Sequence, residues 1–229
     1  MVTLDRQKSL RGNLWKYSSS LVKFFEGMIA VGILGALFNH IFLLVAAQKT
    51  MSQTEIIKLH IGGKEASPEW KIVDVLERPE VDYVCNANNL SLFEDNSVDV
   101  IYASHVLEHF YYNIDNELTD TLKEWYRVLK SGGKLMISVP DLKTLCWLYL
   151  HPNAHPLERH HIMRMMFGGQ TDIYDVHKVG LDEDTLAMYL EMAGFEGYER
   201  VIEFNLFQDC SLIKLADTYI SLNVIASKL

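Results

Sequence analysis

The amino-acid sequence predicts an α/β fold built around a mostly parallel sheet. A continuous apolar run at residues 98–103 leads through a polar turn, a helical period and a glycine turn to a second apolar run at residues 134–139. Parallel strands are covered on both faces, so continuous apolar runs of this kind are typical of them. Another short run, residues 56–61, is followed by the pair Gly62-Gly63, which indicates a strand and its turn.

The other elements follow from spacing and from turn residues. Residues 70–75 predict a second strand that ends at Asp74. Leu118, Leu122 and Trp125 recur at helical spacing, and residues 131–133 (Ser-Gly-Gly) are expected to end that helix. The remaining predictions are a helix at residues 186–195 that stops at Gly194, and final strands at residues 201–204 and 221–226, the last in an antiparallel hairpin.

Composition restricts the possible partners. The chain has 229 residues and is 49% hydrophobic, which suits one α/β domain with an appendage. Its three cysteines lie far apart, which argues against a structural zinc site or a disulfide framework. The net charge is −9, although residues 1–50 carry six Lys and Arg against two acids. Nucleic acid is excluded as an expected partner of the acidic remainder, because phosphate contacts need clustered basic residues.

Residues 1–50 are expected to be separable from residues 51–229, which are expected to form the α/β domain. Residues 27–47 are uncharged and apolar, and their length suits a membrane helix. A membrane anchor, an element lying on the membrane surface, and an over-extended start before Met51 all stay open. A cleaved signal peptide is less favoured because the basic region before the apolar run is long.

Three phrases in order resemble the class I S-adenosylmethionine (SAM)-dependent methyltransferases of the type 11 kind: KLHIGG, VDVIYASHVLEHF and RVLKSGGKLMISVP. The resemblance spans residues 55–228. It implies a Rossmann-like, seven-stranded, mostly parallel sheet with helices on both faces, and S-adenosyl-L-methionine as the cofactor. It also implies a cytoplasmic catalytic domain, since SAM is scarce outside the cell.

Asp74 is the strongest candidate for a cofactor contact. An acid at the end of a second strand, past a glycine turn, is placed to accept hydrogen bonds from ribose hydroxyls, and a surface carboxylate is the alternative. The resemblance makes Gly62 the first loop glycine and places Asn86 beside adenine, while Lys64 stands where a second glycine is usual. The predicted cofactor-binding residues are His60, Gly62, Gly63, Asp74, Asn86, Ala87, Ser104 and His105.

The candidate catalytic residues are His105, His109 and His177. If residues 104–109 begin a helix, His105 and His109 share a face beside Glu108 and could orient an acceptor or take its proton. Polar packing is an equally weighted alternative. A metal site is not expected, because the sequence implies no third ligand.

Residues 151–180 are expected to cover the mouth of the active site. The resemblance matches His177, Lys178 and Gly180 to a family element in this region. Further polar residues could touch the acceptor, or could be ordinary surface residues. These residues are His160, His161 and Arg164.

The predicted function is methyl transfer to a small-molecule or cell-surface-related (sugar or lipid) acceptor, with oxygen favoured over nitrogen. A catalytically silent SAM-fold binding or scaffold protein is the main alternative, motivated by Lys64 and Asn86. A nucleotide-dependent dehydrogenase is disfavoured, because GGKEAS lacks the G-x-G-x-x-G fingerprint.

Overall fold

The structure, a computed structural model, describes residues 56–229. Nine strands occur in this part of the chain. They are β1 (Lys58–Ile61), β2 (Lys71–Asp74), β3 (Tyr83–Val84), β4 (Val98–Ser104), β5 (Leu129–Pro140), β6 (Tyr198–Val201), β7 (Lys214–Leu215), β8 (Thr218–Tyr219) and β9 (Ser221–Ser227).

Seven of these strands form one sheet in the order β3-β2-β1-β4-β5-β9-β6. Strands β1 to β5 pair in parallel, and β9 runs antiparallel between β5 and β6. The predicted seven-stranded, mostly parallel sheet is therefore confirmed. Strands β7 and β8 form a separate two-stranded ribbon.

The strand order places a binding edge in the middle of the sheet. Strand β1 lies between β2 and β4, so the chain leaves β1 toward one side and later returns on the other. Ligands of open α/β sheets bind where the order reverses, beyond the carboxyl ends of the strands. The segments after Ile61, Asp74 and Ser104 all lie at that edge.

Within residues 56–229, four α-helices accompany the sheet: α1 (Glu117–Val128), α2 (Leu142–Tyr149), α3 (Pro156–Phe167) and α4 (Glu183–Ala193). The starts of α2, α3 and α4 follow from side-chain caps. Asp141 accepts from the amides of Lys143 and Thr144 at the start of α2, and Asp182 forms a reciprocal capping box with Thr185 at α4. Helix α4 ends at Gly194, whose φ of 102° is strained for other residues.

One large apolar core holds α1 and α4 to the sheet, and a smaller cluster holds α2 and α3 together. The buried face of α1 carries Leu118, Leu122, Trp125 and Val128, as their spacing predicts. These side chains pack in the same cluster as the central strands and as Leu186 of α4. Full burial of a large apolar side chain contributes about 1.5–3 kcal/mol, so this face fixes α1 against the sheet.

The structure corrects three local predictions. Residues 105–109 do not begin an α-helix: His105 has a φ of 55°, and only a single 3₁₀ turn follows at Leu107–His109. Helix α1 ends at Val128, and Gly132 lies within β5 opposite a shift in the β4–β5 register. Strand β6 is Tyr198–Val201, earlier than residues 201–204.

The expected apolar segment at residues 27–47 and the domain boundary at residue 50 lie outside the described residues. Among residues 56–229, no helix is both long and apolar enough for a membrane crossing.

Candidate functional site

A cavity of about 430 Å³ opens at the edge of the sheet where the strand order reverses. This volume lies in the ordinary range of small-molecule sites, about 300–1,000 Å³. Six of the predicted site residues line it: Gly62, Asp74, Asn86, Ala87, His105 and His109. The other predicted site residues are His60, Gly63, Ser104 and His177, and they are not on the cavity wall.

The glycine turn after β1 forms the floor at one end. Gly62 has a φ of 73°, and its amide donates to the carbonyl of Val73 over 2.8 Å. A Cβ atom built on Gly62 would lie 2.9 Å from Cγ2 of Val106. Only glycine fits here without strain or displacement, which keeps the backbone open to the cavity. Lys64, in place of a second glycine, also lines the wall.

Asp74 presents its carboxylate at the end of β2. One oxygen accepts from the amide of Leu76 at 2.8 Å, and the other pairs with Nη1 of Arg78 at 3.0 Å. Arg78 also donates from Nη2 to the carbonyl of Gly63 at 2.7 Å. A carboxylate has about four lone-pair positions, so Asp74 keeps acceptor capacity for a ligand hydroxyl.

The loop after β3 supplies the neighbouring wall. Asn86 is exposed to the cavity, and its side-chain oxygen accepts from the amide of Asn88 at 3.3 Å. The indole N–H of Trp125 donates to the carbonyl of Ala87 over 2.8 Å. Because Trp125 is fully buried in α1, this bond ties the position of the loop to the core.

His60 does not contact the cavity, contrary to its prediction as a cofactor residue. Its side chain points to the other face of β1. There its ring stacks on that of Phe207, with 4.1 Å between the ring centroids, and packs edge-on against Tyr102, with 5.0 Å between the centroids. Burial lowers its pKa to about 4, so the ring is neutral at physiological pH. Gly63 packs against this ring, where a Cβ would lie 2.7 Å from the imidazole. His60 and Gly63 therefore pack behind the glycine turn, on the side away from the cavity.

His105 lies on the cavity wall just after β4 and is held there by hydrogen bonds. Its Nε2 lies 2.9 Å from Oγ of Ser221, and that hydroxyl donates to the carbonyl of Cys210. Since the hydroxyl proton is used there, Nε2 of His105 must carry the proton in this bond. The unprotonated Nδ1 then faces Oε1 of Glu108 at 3.3 Å.

Glu108 is the centre of a buried cluster. Its side chain is 2% exposed, and neither carboxylate oxygen has a hydrogen-bond partner among the described residues. Burial raises its pKa to about 8. Nε2 of His177 lies 3.8 Å from Oε1, and the ring of His177 meets that of His109 at 4.9 Å. The structure thus brings together the three histidines that were predicted as catalytic.

Residues 168–180 form the wall opposite the sheet. Asp175 accepts hydrogen bonds from Gly169 and Thr171, which folds the segment into a compact loop. The amide of Lys178 donates to the carbonyl of Glu108 at 2.7 Å and joins the loop to the end of β4. The wall is lined by Thr171, Asp172, Ile173, Tyr174, Asp175 and Lys178.

The other predicted contacts to the methyl acceptor do not lie at the main cavity. His160, His161 and Arg164 are exposed on α3 and are not on the wall of the main cavity. His161 and Arg164 instead border a separate depression of about 260 Å³ with Met165 and Gly169.

Sequence reasoning missed Arg78 and the carboxylate wall of residues 171–175. Asp74 and Arg78 are four residues apart, but residues 75–78 are not helical, so this spacing was no signal for their ion pair. No local sequence pattern predicts that residues 171–175 fold against the cavity.

The family model described as a methyltransferase domain matches residues 60–137. These residues include the glycine turn, Asp74, the loop at Asn86, and the histidines after β4. The match supports the resemblance to class I SAM-dependent methyltransferases over residues 60–137. The cofactor of this domain is S-adenosyl-L-methionine, and the open turn at Gly62 and the acceptor capacity of Asp74 fit it.

Solved structures of methyltransferases are similar to this one. One, from Thermotoga maritima and suggested to be a histamine N-methyltransferase, is 19% identical, covers 76% of this chain and 82% of its own, and has a TM-score of 0.48. A SAM-dependent methyltransferase from Archaeoglobus fulgidus is 18% identical, with 82% and 93% covered and a TM-score of 0.48.

Human N-acetylserotonin methyltransferase, solved with SAM, is 14% identical and has a TM-score of 0.44. The match covers 79% of this chain and half of the human one. No curated protein sequence matches this chain.

Proposed function

We propose that this methyltransferase transfers a methyl group to a hydroxyl oxygen of a small molecule or of a sugar or lipid acceptor. The observation that carries the proposal is one continuous cavity that joins Asp74 and Asn86 at one end to His105 and His109 at the other. A nucleoside and an acceptor would therefore lie in the same enclosure. The acidic composition of the chain favours uncharged acceptors over nucleic acid.

The cofactor end would bind the nucleoside through groups already in place. Asp74 would accept from the ribose hydroxyls, Asn86 would accept from the adenine amino group, and the backbone at Gly62 would lie against the methionine part. When bound, SAM supplies an electrophilic methyl group on a positively charged sulfur. The carboxylates of Asp172 and Asp175 on the opposite wall are suited in sign to that positive charge.

The acceptor end would orient the hydroxyl and remove its proton. His109 lines the cavity, and its Nδ1 bonds to the carbonyl of Val176 at 3.1 Å, which fixes the ring. Burial lowers the pKa of His109, so the ring is neutral and able to accept. We assign the proton uptake to the cluster of Glu108 with His105, His109 and His177, in which His105 and His177 act as positioning residues.

The test is transfer of radiolabelled methyl from SAM by the full 229-residue chain to a panel of hydroxyl-bearing sugars and lipids, with amines as a parallel panel. Transfer to a hydroxyl that falls at least tenfold in His109→Ala, and not in the exposed control His151→Ala, supports the proposal. Transfer to amines alone contradicts the choice of oxygen.

A catalytically silent SAM-binding protein is the second candidate. The observations that favour it are Lys64 on the cavity wall and Arg78 paired with the ribose acid. Saturable SAM binding with no transfer to either panel supports this candidate and contradicts the enzyme.

A further inference from the structure

The buried cluster around Glu108 has an unusual arrangement of protons. Nδ1 of His109 bonds to the carbonyl of Val176 and Nδ1 of His177 bonds to the carbonyl of Met165 at 3.0 Å. A carbonyl only accepts, so both Nδ1 atoms must be protonated, and each neutral ring keeps its lone pair on Nε2. His105 is the reverse case, with its lone pair on Nδ1, facing Glu108.

Several hydrogen-bond acceptors therefore lie close together with no donor between them. Glu108 places a buried carboxylate with no hydrogen-bond partner among the described residues, and two imidazoles point unprotonated nitrogens toward it. A buried carboxylate in such surroundings is strongly destabilised unless a cation or a proton compensates it. One ligand atom each from Glu108, His109 and His177 lies within 4.8 Å of the others.

We propose that Glu108, His109 and His177 bind a divalent transition-metal ion of the Zn²⁺ class. Two histidines and one glutamate are a known ligand set for zinc sites that keep a fourth position open. The hydrogen bonds from both Nδ1 atoms to backbone carbonyls are the outer-shell arrangement that orients metal-bound histidines. The ligand that sequence reasoning lacked is His177, which reaches Glu108 from a segment about 70 residues later.

The ion would fasten one wall of the cavity. His177 belongs to residues 168–180, and Glu108 and His109 follow β4 at the opposite side. The amides of Lys178 and Val179 already donate to the carbonyl of Glu108. Because His109 alone of the three ligands lines the cavity, the open coordination position on that side suits an acceptor oxygen, whose hydroxyl pKa the ion would lower. With the ion bound, Nε2 of His109 is a ligand, so the proton would pass instead to His105, whose Nδ1 keeps its lone pair. This last role rests on the proposed function, whereas the metal site itself does not.

The test is metal binding by the tag-free, full-length chain after treatment with a chelator. Titration with Zn²⁺, with Co²⁺ as a spectroscopic probe, should give one bound equivalent. Glu108→Gln and His177→Ala should each weaken binding at least tenfold, while the exposed control His151→Ala should not. Zn²⁺ should also slow hydrogen exchange in residues 168–180 of the wild type and not of Glu108→Gln.

Titration with S-adenosylhomocysteine separates loss of metal from loss of fold. Glu108→Gln should keep its affinity for this compound, and Asp74→Ala should keep one bound Zn²⁺. Less than a tenth of an equivalent of Zn²⁺ on the folded wild type would overturn the proposal and leave Glu108 as a neutral acid. Binding that is unchanged in both Glu108→Gln and His177→Ala would overturn it as well.

Discussion

The two ends of the cavity are built in different ways. At the cofactor end, Gly62, Asp74 and Asn86 each lie within two residues of the end of a strand, so the sheet alone brings them together. At the acceptor end, Glu108 and His109 meet His177, which lies on a loop and not on a strand or helix. The first end is a property of the fold, and the second depends on long-range contacts particular to this chain.

The largest expected effect is at the cofactor end. Asp74→Ala would remove the proposed hydrogen bonds to both ribose hydroxyls, each worth about 1.5–3 kcal/mol to a charged acceptor. Affinity for S-adenosylhomocysteine should fall at least about 100-fold by calorimetry. The neighbouring exposed acid in Glu77→Ala serves as the control. Equal affinities in the two variants would show that the ribose lies elsewhere.

The second prediction tests whether His60 stabilises the fold or contacts the cofactor. In the folded chain, burial holds the pKa of His60 near 4, whereas the unfolded chain takes up this proton near pH 6.5. The wild type should therefore lose stability as the pH falls from 6.5 to 4, by up to about 3 kcal/mol from this residue. His60→Phe should remove that part of the pH dependence.

Denaturant unfolding at several pH values checks this result, with His151→Ala as the control. His60→Phe should also keep its affinity for S-adenosylhomocysteine, because His60 is not on the cavity wall. A large loss of that affinity would return His60 to the cofactor site.

Two glycines give a matched pair for the turn after β1. Gly62 and Gly132 both have positive φ, of 73° and 78°, but a Cβ has a close neighbour only at Gly62. Gly132→Ala should cost about 1–2 kcal/mol of unfolding free energy from backbone strain alone. Gly62→Ala should cost more and should also weaken S-adenosylhomocysteine binding about tenfold. Equal losses of unfolding free energy with unchanged binding would mean that the Val106 side chain moves aside without cost.

The smallest effect is expected at Arg78. Its side chain is 24% exposed, so its ion pair with Asp74 is partly screened and contributes about 0.5–1 kcal/mol. Arg78→Ala should weaken S-adenosylhomocysteine binding by a few-fold, measured by calorimetry at low salt. A gain in affinity would instead mean that Arg78 competes with the ribose for Asp74.

The sequence was sufficient for the sheet and for placing Gly62, Asp74 and Asn86 at one cavity. Apolar runs, glycine turns and an acid at a strand end are local patterns, and the fold turns them into a site without further information. The position of His60 next to the glycine turn did not predict the direction of its side chain. Strand alternation turned it away from the cavity and toward Phe207, which is about 150 residues distant in the chain.

The acceptor end could be predicted only as a set of residue types. The spacing of His105 and His109 suggested a shared helix face, but the positive φ of His105 prevents that helix. Glu108 and His177 come together through hydrogen bonds from Lys178 and Val179 to one carbonyl. Such loop contacts have no period in the sequence, which is why a third ligand for a metal was not foreseen.

The most direct test of the cofactor site is a crystal structure of the full chain with S-adenosylhomocysteine. We expect the ribose hydroxyls within hydrogen-bond distance of Asp74, the adenine beside Asn86, and the sulfur directed toward His109. A ligand bound away from Asp74, or a cavity that stays empty at saturating ligand, would contradict the assignment of this cavity as the methyl-transfer site.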